Sequence, residues 1–369
     1  MKFLVLAVIS LIALSSQATA PRQLTVTAVN KLKIAREAET IEMRAEDLAA
    51  LGEKDLNKLH VFDSLGKEVL SQSVDTDYDE LHKPDTLIFQ TDFSPGETKT
   101  FTIKSGAKLA YKKDDFRAYG RFVRERFDDF AWENDRIAHR TYGKALRTWK
   151  GEPLTSSAID IWSKRTPKLV INDWYMVDNY HADTGDGVDA YSAGPTRGCG
   201  GSGIWANNQL FIPTNFVDSR VLANGPIRVM FELVYEPFDV NGLKVSEVVR
   251  VSLDAGSQLN HFRTTYVTTE PLAVAVGLKK VKDEQKEFNA TRGWLMSWQP
   301  MEKNLGMQGL AIVVANPRYV DKLAEDARNN LVVFQPEATF QISYWAGFAW
   351  DRAGRITTAD AWKKYVDEF

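Results

Sequence analysis

From Leu24 onward the chain alternates: Leu24, Val26 and Ala28 are apolar where Thr25 and Thr27 are polar. A period of two puts successive side chains on opposite faces of a strand. Asp63-Ser64-Leu65-Gly66 separates two apolar runs, and Pro95-Gly96 precedes the alternating stretch from Thr98 to Ile103. Residues 21–112 therefore read as a small N-terminal β-sandwich. The clearest hairpin comes later. Ile227, Val229, Phe231, Leu233 and Tyr235 alternate, and Val245 to Leu253 answers them after Asn241-Gly242, the dipeptide that best suits a tight hairpin turn. Further strands are expected over 263–268, 310–314, 331–334 and 340–344, with a short helix over 317–330 that has Pro317 near its start. The charged junction Lys112-Lys113-Asp114-Asp115 marks a domain boundary, leaving 113–369 as a larger second domain. Many short strands and few short helices make the fold all-β dominated, with antiparallel sheets packed face to face.

The first twenty residues are a different kind of segment. Lys2 precedes an apolar run from Phe3 to Leu14, followed by Ser15, Ser16, Ala18 and Ala20, the composition of a cleaved secretory signal. Residues 1–20 are expected to leave the fold and to direct the protein to the periplasm. No later stretch reaches the roughly 20 apolar residues that a membrane span needs, so no membrane insertion is expected. Cys199 is the single cysteine, so the exported chain forms no internal disulfide. Its 46 basic and 49 acidic residues nearly balance, which gives no support for a nucleic-acid partner. Ten Trp and twelve Tyr supply flat rings that pack either in a core or on the C–H faces of sugars.

Candidate chemistry concentrates between Arg121 and Gly203, where charged, aromatic and glycine residues crowd without a clear period. The run from Trp132 through Glu133, Asn134, Asp135 and Arg136 to His139 and Gly143 reads equally as a binding site or as a buried ion-pair network. Trp174-Tyr175 follows, then Tyr180-His181, then a glycine-rich stretch through Asp189 to Gly203, with the composition of loops that carry functional groups. Asp183, Asp186 and Asp189 lack the spacing of a calcium loop. Gly198–Gly203 has no P-loop lysine. Neither a metal nor a cofactor is expected. Cys199 reads as a small residue packed among glycines rather than as a nucleophile. His139 and His181 stand among acids, arginines and tyrosines, the surroundings that tune a proton-transfer group.

The segments Arg121–Arg136, Tyr180-His181, Gly198-Cys199-Gly200-Gly201 and Asn224–Arg228 resemble the bacterial family called domain of unknown function 4861, as do Arg36-Glu37 and Trp345–Trp350. The resemblance covers essentially the whole mature chain, with His139 standing where the family pattern leads one to expect an apolar residue. It implies that the second domain is a supersandwich like that of galactose mutarotase. It also implies a role in degrading acidic polysaccharides: dehydration of a non-reducing-end uronic acid, as in ulvan breakdown. The 4,5-unsaturated product would pass to an unsaturated glucuronyl hydrolase as pathway neighbour.

Such an elimination needs a base for the C5 proton, an acid for the departing 4-hydroxyl and a cation for the carboxylate. His181 is the expected proton-transfer residue, with Tyr180 or Tyr175 as partner and Arg136 and Arg197 as cations. Trp132, Trp174 and Trp205 are candidate sugar platforms, and Glu133, Asn134, Asp135, His139 and Asp189 candidate substrate contacts. A polysaccharide lyase, which expels a sugar alcohol instead of water, and a non-catalytic carbohydrate-binding protein remain open beside the dehydratase.

Overall fold

The structure is a computed structural model, described here for residues 8–10, 23–77, 82–151, 154–177, 179–335 and 341–369. Most of the expected signal segment lies outside the described residues. Gln23–Val29 pairs with Thr98–Ser105, which is flanked by Leu59–Phe62 and then Glu68–Val69. A second sheet, Arg36–Arg44, Thr86–Phe93 and Ser71–Val74, closes over the first. The alternation places Leu24, Val26 and Ala28 inward, against Ile41, Met43, Leu87, Phe89, Phe101 and Ile103.

Beyond residue 117 three further sheets assemble. The largest runs Phe216–Asn224, Arg228–Tyr235, Leu243–Asp254, Leu259–Val267, Gln341–Trp350, Met307–Val314, Trp294–Pro300 and Gln285–Asn289, every pair antiparallel, with Phe238–Val240 added beside Leu243–Asp254. Facing it is the sheet Gln209–Phe211, Cys199–Ala206, Ala273–Lys279, Asn329–Phe334 and Val320–Glu325. Phe231, Val251, Phe262, Val276, Val332 and Phe348 fill the space between them. This all-β sandwich architecture is the one the hydrophobic pattern predicts. At the expected hairpin turn Asn241 has φ 54° and Gly242 φ 93°, the two positive values a type I′ turn requires.

One expectation fails. Residues 317–330 do not form a helix: Pro317–Tyr319 makes a single 3₁₀ turn, Val320–Glu325 is an edge strand paired with Asn329–Phe334, and Asp326 turns the chain by accepting the Arg328 and Asn329 N–H groups. The neighbouring strand offers pairing that outweighs the local helical preference of Asp-Lys-Leu-Ala-Glu. The C-terminal helix Ala359–Glu368 buries Trp362 and Val366 against the largest sheet, and Thr358 Oγ1 caps it by accepting the Ala361 N–H. Among the described residues no helix is long and apolar enough to cross a membrane.

The third sheet positions the chemistry. Its order is Gly187–Val188, Asp160–Lys164, Ala138–Thr141, Asp129–Asn134 and Ala118–Val123. Gly143, just past its central hairpin, bridges to Phe216 and accepts an Asn215 Nδ2–H bond at 2.8 Å. A Cβ there would lie 1.7 Å from the Asp128 carbonyl oxygen, an overlap only backbone movement can relieve. Gly143→Ala is expected to cost about 3 kcal/mol in urea unfolding; an unchanged midpoint would show that this close approach is not needed.

Candidate active site

Period-two geometry divides the third sheet into two chemically different faces. Phe130, Trp132 and Asn134 point toward the sandwich, where Phe130 stacks on Phe231 at 4.1 Å and the Trp132 indole N–H bonds Asn260 Oδ1 at 2.7 Å. Asp129, Ala131 and Glu133 take the other face, joined by Arg140, Asp160, Trp162 and Lys164 from the neighbouring strands. The helix Ile171–Val177 and the segment through Tyr180 cover this second face.

Arg140 is the centre of that face. It is 4 % exposed. Its Nε donates to Asp160 Oδ2 at 2.9 Å, Nη2 lies 3.1 Å from Asp189 Oδ2, and Nη1 lies 3.8 Å from Asp129 Oδ2. The rings of Tyr142, Trp162 and Tyr180 surround the guanidinium carbon at 5.6, 5.9 and 5.9 Å. Burial opposes its charge, but Asp189 and Asp160 outweigh that penalty and hold Arg140 firmly protonated. Asp160 is shared, since Oδ2 also accepts the Tyr142 hydroxyl at 2.8 Å. Asp129 is the least compensated of the three carboxylates. Burial pushes its pKa up to about 7 against the pull of Arg140 and Arg126, so its proton is exchangeable near neutrality.

Above this face sit two buried tyrosines and a half-exposed histidine. The Tyr175, Tyr180 and Trp162 rings lie within 4.8 to 5.6 Å of one another. His181 is half-exposed and lies 4.5 Å from the Tyr180 ring. Its Nδ1 sits 3.2 Å from the Asp189 carbonyl oxygen and 3.5 Å from Asp189 Oδ2. Both partners hold Nδ1 as the protein-facing nitrogen, which leaves Nε2 directed outward. The Tyr180 hydroxyl accepts the Arg126 Nε–H at 2.8 Å. Arg126 ends a 3₁₀ turn, after which Phe127 and Asp128 carry positive φ values of 51° and 66°; its guanidinium packs 5.0 Å from the Trp149 ring, itself stacked on Phe127. The Tyr175 hydroxyl is buried with no hydrogen-bond partner among the described residues. Burial, reinforced by Asp129, pushes its pKa well up, so Tyr175 stays a hydroxyl donor.

The structure thus brings together His181, Tyr180, Tyr175 and Asp189, with Trp174 packed behind Trp162. It moves other candidates away. Trp132, Asn134 and His139 lie on the opposite face with no exposed surface, because adjacent strand residues cannot share a face. His139 donates from Nδ1 to the Asp160 carbonyl and accepts from Asn260 Nδ2 at 2.9 Å; burial lowers its pKa to about 3, so it is a neutral core residue. Glu133 shares the site's face but is consumed by structure: its carboxylate takes Lys164 Nζ at 2.7 Å and the Val170 and Ile171 N–H groups at 2.8 Å. Asp135 accepts the Gly256 N–H, and Arg136 lies beside Asp135 near Arg355 and Glu37 rather than near His181. Arg197 is buried inside the sandwich, bonded to Ser157, and Trp205 packs with Ala275, Leu331 and Val333. Asp129, Arg140, Asp160, Tyr142 and Arg126 are the residues sequence reasoning passed over. The signal was present in the alternation of Asp129, Ala131 and Glu133 with Phe130, Trp132 and Asn134.

A family model described as "Domain of unknown function (DUF4861)" matches residues 29–369. The chain is 32 % identical over 359 residues to "Uncharacterized protein P7" from Formosa agariphila, covering 93 % of this chain and 90 % of that protein. Among solved structures it is similar to a protein in the glycosyl hydrolase family 38 from Enterococcus faecalis, with a TM-score of 0.51, 13 % identity and 93 % of this chain covered. That likeness is one of fold, and the match spans 46 % of the other chain, about half its length.

The Lys164–Glu133 pair has no exposed side-chain surface. Breaking one partner strands a buried charge, which costs about 3–5 kcal/mol. Glu133→Gln is therefore expected to destabilise by that amount in chemical denaturation, and Glu133→Leu with Lys164→Met to recover most of it. A stable Glu133→Gln protein that has lost activity would instead return Glu133 to the substrate.

Proposed function

The chain belongs to the family described as domain of unknown function 4861, and from that premise we propose that it is an exported carbon–oxygen lyase acting on acidic oligosaccharides. The reaction is dehydration of a non-reducing-end uronic acid to its 4,5-unsaturated form. The observation that carries the reading is the chain His181–Asp189–Arg140, in which a half-exposed imidazole is oriented by the Asp189 carbonyl at 3.2 Å and lies 3.5 Å from the Asp189 carboxylate, which a buried guanidinium approaches in turn at 3.1 Å. A histidine held this way works as a proton-transfer group, as in other His–carboxylate pairs.

In this reading His181 Nε2 takes the C5 proton. The C5–H electron pair forms the C4–C5 double bond, the C4–O bond breaks, and the departing oxygen receives the Tyr175 proton and leaves as water. Arg126, partly exposed and bonded to the Tyr180 hydroxyl, meets the substrate carboxylate and holds the charge that develops on it. It takes the part that Arg136 and Arg197 are too distant to play. Asp129, the charged neighbour that acts most strongly on Tyr175, sets the protonation of the site near neutral pH.

Purified protein incubated with uronate-terminated oligosaccharides is expected to yield products lighter by one water, read by mass spectrometry, with chain length unchanged. Shortened unsaturated chains would replace the dehydratase with a polysaccharide lyase, and unchanged substrate would leave a binding role. His181→Ala is expected to lower kcat/KM by about 10²–10⁴-fold without altering the melting temperature. Asp129→Asn addresses the pH dependence. Its folded pKa of about 7 lies above the unfolded value, so the stability it contributes is complete below about pH 4 and is lost as pH rises through 7. Asp129→Asn should remove that part of the slope from melting curves recorded between pH 4 and 8.

A further inference from the structure

Arg197 belongs to a separate polar cluster inside the sandwich, and the fold has made room for it. Its side chain lies across Gly201 and Gly277, which are register partners on adjacent strands. A Cβ at Gly201 would come 2.7 Å from Nη2, and one at Gly277 2.8 Å from Cγ. Its own N–H donates to Asn329 Oδ1 at 2.7 Å, and Nη2 donates to the Ser157 carbonyl and hydroxyl oxygens at 2.7 and 3.0 Å. Nε and Nη1 have no hydrogen-bond partner among the described residues, although Arg197 is 1 % exposed.

Glu247 is the acid that acts most strongly on it, from the opposing sheet. Its Oε1 accepts the Ser202 and Tyr266 hydroxyls, both at 3.0 Å, while Oε2 has no partner among the described residues. No direct ion pair joins Glu247 to Arg197 among the described residues. Tyr235, Tyr266 and Tyr344 enclose the pair; Tyr344 donates to the Gly200 carbonyl at 2.8 Å, and the buried Thr264 Oγ1 also lacks a partner. Around Arg197, whose pKa burial lowers against the pull of Glu247, stand several hydroxyl groups and a single carboxyl.

We propose that Arg197 Nε and Nη1 hold a small monovalent anion of the halide class inside the sandwich. A buried guanidinium without a counter-charge is costly, and a small anion at two of its N–H groups supplies one with matched geometry. The carboxyl of Glu247 does not do so at every pH. Burial raises its pKa to about 7 against the pull of Arg197 and of the Tyr266 and Ser202 hydroxyls, so below neutrality it becomes an O–H donor. Anion binding is then linked to protonation of Glu247: the anion is held in acid and released as Glu247 ionises. The tyrosines facing it stay protonated throughout, since burial raises the pKa of Tyr235, Tyr266 and Tyr344.

The test uses bromide as the probe, on the full chain refolded and crystallised in sodium bromide at pH 6. An anomalous peak beside Arg197 Nε and Nη1 is expected; water refined there with no anomalous signal overturns the proposal. In solution, bromide is expected to raise the melting temperature at pH 6 by about 2–4 °C over gluconate at equal ionic strength, and to give no difference at pH 9. Glu247→Gln should retain the bromide effect at both pH values, whereas equal melting temperatures in the two salts for both wild type and Glu247→Gln contradict an anion site. None of these readouts depends on turnover, so they stand whether or not the chain dehydrates uronates.

Discussion

The candidate site depends on one buried cation. Arg140 reaches carboxylates from three separate stretches of sequence, Asp129, Asp160 and Asp189, and without it three acids would face one another under a cover of aromatic rings. Charges this deep persist only when paired and hydrogen-bonded. The unequal distances set an order among the acids: Asp160 and Asp189 are held closely, whereas Asp129, at 3.8 Å, is left with a pKa of about 7. An arrangement made to bind a cation would hold all three tightly. This one leaves one carboxyl, Asp129, whose pKa lies near neutrality.

The same constraint links the site to the fold. The central hairpin of the third sheet brings Asp129 to Arg140, and its flanking strand adds Asp160. The loop carrying His181 is fixed because the Asp189 N–H donates to the Tyr180 carbonyl at 2.7 Å while the Asp189 carboxylate is held by Arg140. On the opposite face, Trp132, His139 and Asn260 form a neutral hydrogen-bonded core that seats the sheet on the sandwich. Glu133 and Lys164 anchor the start of the covering helix. Groups facing the candidate site and groups facing the sandwich alternate along the same strand.

That alternation explains what was legible in the sequence. The hairpin from Arg228 to Asp254 announced itself because its inward positions Val229, Phe231, Leu233, Val249, Val251 and Leu253 are all apolar, with Glu247 as the inward exception. His181, Tyr180, Tyr175 and Asp189 lie on loops and a short helix where no period applies, and composition was enough to single them out. In Asp129–Asn134 both faces are buried, one against the sandwich and one under the helix, so composition does not tell the faces apart: it singles out Trp132, Asn134 and His139 and passes over Asp129 and Arg140. Arg197 misled for a related reason: a cation among glycines resembles a ligand-binding loop, but Gly201 and Gly277 make way for the arginine itself. Val320–Glu325 reads as helix because Asp-Lys-Leu-Ala-Glu carries no period-two pattern, and it is strand because the next segment, Asn329–Phe334, pairs with it across the turn at Asp326.

The Arg140 network leaves the Asp129 carboxyl titrating near neutrality. Infrared difference spectra of wild type against Asp129→Asn, followed through a pH titration, isolate the stretching band of that one carboxyl. The protonated band is expected to be lost with a midpoint near 7. A carboxylate already ionised throughout the range above about pH 5, as an ordinary aspartate would be, would contradict it and reduce the network to a structural ion cluster.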